Sequence, residues 1–173
     1  MRVIASVQTQ TRGGRPSRTD GKATLRHLVG SGDRIGLFTL PFLLVGLGLN
    51  VAHSAWFDVG GPASALRGAS IVVLVPGALI WAWSVVLILR YVPRGELITS
   101  GPYSLVKHPL YTDVAFLVLP WIGFLLDTWL GIVIGVVVYI GSRRFAPSEE
   151  AELARAFGPA WDEYCDHVKL LWL

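Results

Sequence analysis

The chain has 173 residues, of which 53% are hydrophobic and only 16% are charged, against roughly 25% charged residues in a typical soluble protein. Its mean hydropathy is +0.54, and its apolar residues gather into runs too long for a small soluble domain. Cys165 is the single cysteine, which excludes a disulfide scaffold. The formal net charge of +3 could suggest nucleic acid as a partner, but the charges flank the apolar runs. We therefore predict an integral membrane protein that binds no nucleic acid.

Four apolar stretches predict an all-α fold with about four transmembrane helices. They cover residues 35–56, 70–89, 110–126 and 129–141. Only Asp127 and Thr128 separate the last two stretches, which predicts a tight helical hairpin. The fourth stretch is about 20 Å long as a helix, shorter than the hydrocarbon core of a bilayer. We expect it either to extend toward Phe145 or to lie where protein lines a polar cavity.

The basic residues predict the orientation in the membrane. Four crossings with both termini in the cytoplasm place all of the 15 Lys and Arg residues except Arg67 on the cytoplasmic side. Cytoplasmic loops carry an excess of such residues, so we expect this orientation, in a bacterial inner membrane. Residues 1–34 are expected to be a basic, disordered cytoplasmic tail, and residues 35–173 the membrane domain, with a helical cap at the cytoplasmic C-terminal end.

The segment of residues 101–111, GPYSLVKHPLY, joins the second and third predicted helices. Pro109 suits the first position of a helix and biases His108 toward an extended backbone. Lys107 and His108 are therefore predicted to lie at a helix N-terminus, where free N–H groups already favour an anion. Taken alone, these residues allow a carboxylate or phosphate site as readily as a snorkelling lysine and a capping histidine.

A second group of polar residues follows the fourth predicted helix. Ser148 is a suitable N-cap for a further helix, and acids in its first turn would complement the helix dipole. On helical spacing, Glu150 shares an apolar face with three later residues, Leu153, Ala154 and Phe157. A carboxylate on such a face is costly unless it is paired or bound to a ligand. Glu150 is therefore a stronger functional candidate than Glu149.

The chain closes with a short amphipathic helix. Gly158 and Pro159 are expected to end the preceding helix. Trp161 and Tyr164 then recur at helical spacing. We expect this last helix to pack at the membrane interface, in preference to forming a dedicated aromatic site.

Residues 94–173 resemble the isoprenylcysteine carboxyl methyltransferase and phospholipid methyltransferase superfamily. The motifs, in the same order and spacing, are Gly101-Pro102-Tyr103, Lys107-His108-Pro109-x-Tyr111, a helical hairpin, Glu149-Glu150, and Phe157-Gly158 followed by Tyr164. The resemblance implies a small multi-helix membrane enzyme that uses S-adenosylmethionine. Lys107 stands where many relatives have arginine, which keeps the charge but loses the bidentate fork of a guanidinium.

The same resemblance implies the roles of individual residues. His108, with Lys107, would hold the carboxylate end of the cofactor, and Glu150 its ribose hydroxyls or amino group. The implied cofactor-binding residues are Tyr103, Lys107, His108, Pro109, Tyr111, Glu149, Glu150 and Tyr164. Glu150 is also expected to act in catalysis, and Arg143 or Arg144 could orient an acidic methyl acceptor.

The methyl acceptor is expected to be a small molecule or a lipid-soluble one that enters from the bilayer. A prenylcysteine carboxylate, a phospholipid amine, a small thiol and an isoprenoid or quinone-like hydroxyl all fit this expectation. Two other classes stay open: an NADPH-dependent membrane reductase of the sterol or steroid type, and a non-catalytic scaffold whose polar motifs only cap helices. The residues show no metal-ligand cluster, and we predict no metal. They carry no prediction of oligomeric state.

Overall fold

Helices make up nearly all of the chain that the computed structural model describes, residues 32–60 and 63–168. The α-helices of these residues are α1 (Gly32–Ala52), α2 (Ser54–Phe57), α3 (Ala63–Tyr91), α4 (Pro109–Asp113), α5 (Leu119–Leu125), α6 (Leu130–Phe157) and α7 (Pro159–His167). A π-helical segment, Val114–Val118, joins α4 to α5, and 3₁₀ turns cover Val92–Arg94 and Gly101–Ser104. Within the described ranges there is no β-strand, which confirms the all-α prediction.

Of the helices in residues 32–60 and 63–168, three are long and apolar enough to cross a membrane. They are α1, α3 with the turn that follows it, and α6. The continuous helix from α4 to α5, Pro109–Leu125, is apolar but shorter, about 25 Å along its axis. The chain is thus an α-helical protein of the membrane type. The shorter helix corresponds to the third predicted stretch, and α6 corresponds to the fourth, which extends beyond Phe145.

One continuous helix replaces two predicted ones in the C-terminal half. Helix α6 extends from Leu130 to Phe157 and passes through Pro147. The prediction that Ser148 caps a separate helix is wrong, because α6 continues through this residue. The Ser148 Oγ instead donates a hydrogen bond of 2.7 Å to the Phe145 carbonyl within α6. A proline inside a helix removes one backbone hydrogen bond, here that to the carbonyl of Arg143, an exposed residue at the polar end of the span. Glu149 and Glu150 therefore belong to the same continuous helix as the apolar, membrane-length part of α6.

The first predicted span also has different bounds. Helix α1 ends at Ala52, and a break at His53 separates it from the short α2. Of the predicted tail of residues 1–34, residues 32–34 form the first turn of α1, and the rest lies outside the described residues.

Helix α6 packs between α1 on one side and the α4–α5 helix on the other, and α3 packs on the α4–α5 helix. The apolar core at these contacts consists of Ile35, Phe57, Ala115, Leu130, Ile134 and Val138. Gly123 of α5 and Gly131 of α6 bring two backbones together, because a Cβ atom on Gly123 would lie 2.9 Å from the Gly131 Cα. Small residues of this kind are typical of close helix contacts in membranes. The packing fixes the α4–α5 helix against α6, and so positions the polar residues at the start of α4 and at the polar end of α6.

Candidate functional site

The start of α4 lies beside the polar end of α6. Helix α4 begins at Pro109, as predicted, and His108 precedes it with a non-helical backbone, φ −124° and ψ 62°. His108 Nε2 lies 3.1 Å from Glu150 Oε1, although the two residues are 42 positions apart. Lys107 Nζ lies 3.5 Å from Glu150 Oε2. The structure therefore brings two separate sequence motifs together around one carboxylate.

Burial and charge define the chemistry of this cluster. His108 is buried, with 7% of its side chain exposed, whereas Lys107 and Glu150 retain 27% and 32%. Glu150 lies two turns beyond the arginines that end the apolar part of α6. The His108 imidazole and the Lys107 ammonium lie within hydrogen-bonding distance of separate oxygens of Glu150, and both contacts favour its charged form. Glu150 is thus held as a carboxylate that accepts hydrogen bonds from two cationic or potentially cationic groups.

Aromatic side chains of α7 and the preceding loops surround the cluster. The Tyr164 hydroxyl donates a hydrogen bond of 2.8 Å to the backbone carbonyl of Tyr103, which ties α7 to the 3₁₀ turn of the 101–104 segment. Burial raises the pKa of both phenols, and the charge of Glu149 raises that of Tyr103 further. Tyr111 stacks with the His108 ring at 5.9 Å between centroids. Three of the predicted tyrosines therefore lie beside the ion cluster.

A single glycine turns α7 back over the site. Gly158 ends α6 and adopts φ 52° and ψ −129°, a left-handed conformation that side chains other than glycine rarely adopt. Pro159 then begins α7. The prediction that Gly158 and Pro159 end the preceding helix is confirmed. This turn places the buried rings of Trp161 and Tyr164 next to the 101–108 loop.

The remaining predicted residues have different surroundings. Pro109 is buried and Glu149 is half-buried near Tyr103. Arg143 and Arg144 are exposed, and the guanidinium carbon of Arg144 lies 5.9 Å from the centre of the Phe145 ring. Their suggested role in orienting an acidic acceptor stays a prediction.

Two residues that the sequence analysis did not assign to the site belong to it. The Trp161 ring, 6% exposed, has the Lys107 ammonium 6.0 Å from its centre. The Cys165 thiol lies beside the same ammonium; burial raises its pKa, and the nearby Lys107 acts in the opposite direction. Trp161 and Cys165 are four residues apart and so share one helix face. This four-residue spacing, next to Tyr164, was the signal in the sequence that could have assigned Trp161 and Cys165 to the site.

Asp113 is a buried acid within the apolar α4–α5 helix. It is 3% exposed, and neither carboxylate oxygen has a hydrogen-bond partner among the residues that the structure describes. A Cβ atom on Gly77 of α3 would lie 3.6 Å from its Oδ1, and the π-helical segment begins at the next residue. An acid in such a position is expensive and is often functional. Its only sequence signal was a single charge in the third apolar stretch.

We expect Asp113→Ala to raise the stability of the protein, because it removes polar atoms whose burial without a partner costs about 1–3 kcal/mol. Thermal melting in detergent measures the effect. The matched control is Ser84→Ala, because Ser84 is equally buried but its Oγ donates to the Ile80 carbonyl, so this change should not raise the melting temperature. A marked loss of stability in Asp113→Ala would contradict the expectation.

Comparison with known proteins gives a similarity in sequence to a metal-resistance protein. No family model matches the chain, and no solved structure does. The chain is similar to the nickel-cobalt-cadmium resistance protein NccN of Alcaligenes xylosoxydans xylosoxydans, with 28% identity over 133 residues. The similarity covers 76% of this chain and 60% of the relative, so the chain spans about three fifths of the length of NccN. Within residues 32–60 and 63–168, no group of three or more His, Cys, Asp or Glu side chains is arranged to hold a metal ion.

Proposed function

We propose that the chain is an integral membrane methyltransferase that uses S-adenosylmethionine and resembles the isoprenylcysteine carboxyl and phospholipid methyltransferases. The observation that carries the proposal is the cluster of Lys107, His108 and Glu150 beneath the aromatic residues of α7. His108, at the start of α4, and the half-buried carboxylate of Glu150 are 42 positions apart in the sequence, and they meet where the chain leaves its apolar spans. Such an arrangement suits a polar ligand that carries both a carboxylate and an amino group.

The donor and acceptor groups of the cluster fit the cofactor. Lys107 and His108 can bind its carboxylate, and Glu150 can accept hydrogen bonds from its amino group or ribose hydroxyls. The half-buried ring of Tyr103 offers an apolar face for the adenine. S-adenosylmethionine supplies an activated methyl group when it is bound. For such a transfer, positioning by the protein matters more than a strong acid or base.

The proposed acceptor is lipid-soluble or small. Helices α1 and α3 expose large apolar side chains, among them Leu37, Val51 and Val72 at 73% or more, which suits lipid contact. An acceptor dissolved in the bilayer would reach the cluster between helices, whereas a polar cofactor would arrive from the aqueous side.

Calorimetric titration of the detergent-purified protein with S-adenosylhomocysteine tests the proposal, with NADPH titrated in parallel. We expect S-adenosylhomocysteine to bind and NADPH not to bind. Binding of NADPH alone would favour a membrane reductase. Binding of neither ligand, to protein with a cooperative melting transition, would favour the scaffold. NccN is named for resistance to nickel, cobalt and cadmium. Cells grown with these metals are therefore a setting in which to compare the wild-type protein with its variants.

We also propose that both termini lie in the cytoplasm, as the basic residues predict. The test uses a Cys165→Ser background and a membrane-impermeant maleimide added to intact cells. A cysteine at the exposed position of Arg67, in the second turn of α3, should react with the reagent. A cysteine at exposed Arg94, in the 3₁₀ turn that follows α3, should react only after the cells are opened. The reverse pattern would contradict the orientation.

A further inference from the structure

The Lys107 ammonium lies between a carboxylate and an aromatic face. Its Nζ is 3.5 Å from Glu150 Oε2 and 6.0 Å from the centre of the Trp161 ring. The indole is buried, whereas the lysine is partly exposed and is attached through a flexible stem. A rigid anionic and aromatic environment is thus filled by a group that can move away.

We propose that the space between Glu150 and Trp161 binds the positive centre of an organic cation, and that Lys107 occupies it only in the free protein. The inference rests on the proposed function and names the sulfonium of the cofactor as that centre. Tryptophan gives the strongest cation–π attraction of the aromatic residues, and the attraction increases when the cation is desolvated. Glu150 supplies the opposite charge at one edge of the same space.

The charges of the cluster explain why Lys107 can leave this space. The amino-acid end of the ligand brings its own carboxylate, which gives the ammonium a new partner. The ligand cation then takes the place of Lys107 against Glu150 and Trp161, so that each charge keeps an opposite charge nearby. A neutral ligand of the same shape gains nothing at the Trp161 ring. The site should therefore prefer a cationic ligand to its neutral analogue.

Two matched ligands test this preference by binding alone. Sinefungin carries an amine, protonated at neutral pH, close to the position where S-adenosylhomocysteine carries a neutral sulfur. In the wild-type protein we expect sinefungin to bind roughly fivefold to thirtyfold more tightly, the range of a partly desolvated cation–π contact. Trp161→Leu should reduce that ratio to within about threefold while the affinity for S-adenosylhomocysteine changes little. Trp161→Phe retains an aromatic face and should keep most of the preference.

A change at Lys107 gives a second, opposite test that leaves the buried ring intact. Lys107→Gln weakens both ligands at their shared carboxylate, but it removes the cation that competes for the Trp161 face. The ratio of the two affinities should therefore rise. A ratio unchanged by Trp161→Leu, or lowered by Lys107→Gln, would overturn the inference. Failure of the wild-type protein to bind S-adenosylhomocysteine would instead contradict the proposed function, so the two failures are distinguishable.

Discussion

Glu150→Gln should lower the affinity for S-adenosylhomocysteine at least thirtyfold. Glutamine keeps the shape of the side chain but removes the negative charge that holds His108 at 3.1 Å and Lys107 at 3.5 Å. Each hydrogen bond to a charged group contributes about 1.5–3 kcal/mol, and a loss of about 2 kcal/mol corresponds to roughly thirtyfold in affinity. The calorimetric titration used for the wild-type protein measures the change.

The same helix provides the matched control. Glu152→Gln makes the identical change at an exposed position of α6, and it should leave binding unaltered. His108→Ala should reproduce the loss seen in Glu150→Gln, because it removes the partner of the carboxylate. If Glu150→Gln binds the ligand with wild-type affinity, the ion cluster serves only to hold α4 against α6, and the scaffold interpretation gains support.

Those parts of the site that depend on local backbone sterics could be predicted from the sequence. Proline restricts both itself and the residue before it, and α4 does begin at Pro109 with His108 outside the helix. Glycine followed by proline likewise ended α6 at the predicted place. Both features are decided within two or three residues, whatever the rest of the chain does.

Features that depend on tertiary packing could not be predicted in the same way. Ser148 has the chemistry of a helix cap, yet α6 continues through it and through Pro147. The proline removes one backbone hydrogen bond, and the packing of α6 on α1 and α5 keeps the helix continuous. The contact of Trp161 with Lys107 depends on how α7 folds back after Gly158. Helical spacing on α7 identifies which residues share a face, but not the residue that this face meets.

The close contact between α5 and α6 gives the second large prediction. Gly131→Ala should destabilise the protein by about 3 kcal/mol or more, because the added methyl group would collide with the backbone carbonyl of Leu119 and lie 2.9 Å from the Gly123 Cα. Overpacking usually costs about 1–3 kcal/mol, and backbone atoms on both sides leave little room for adjustment. Thermal melting in detergent should show a decrease of roughly 6–12 °C.

Gly48→Ala is the control for this change, since it adds the same methyl group to membrane helix α1 where no atom of the described part of the chain lies within 4 Å. Its melting temperature should stay close to that of the wild type. A Gly131→Ala protein that also melts like the wild type would contradict the prediction.

The effect of Gly131→Ala should extend to ligand binding. His108 precedes the α4–α5 helix and Glu150 lies on α6, so a wider separation of these two helices at Gly131 also alters the distance between the paired side chains. Gly131→Ala is therefore expected to weaken S-adenosylhomocysteine binding from a position far from the cluster.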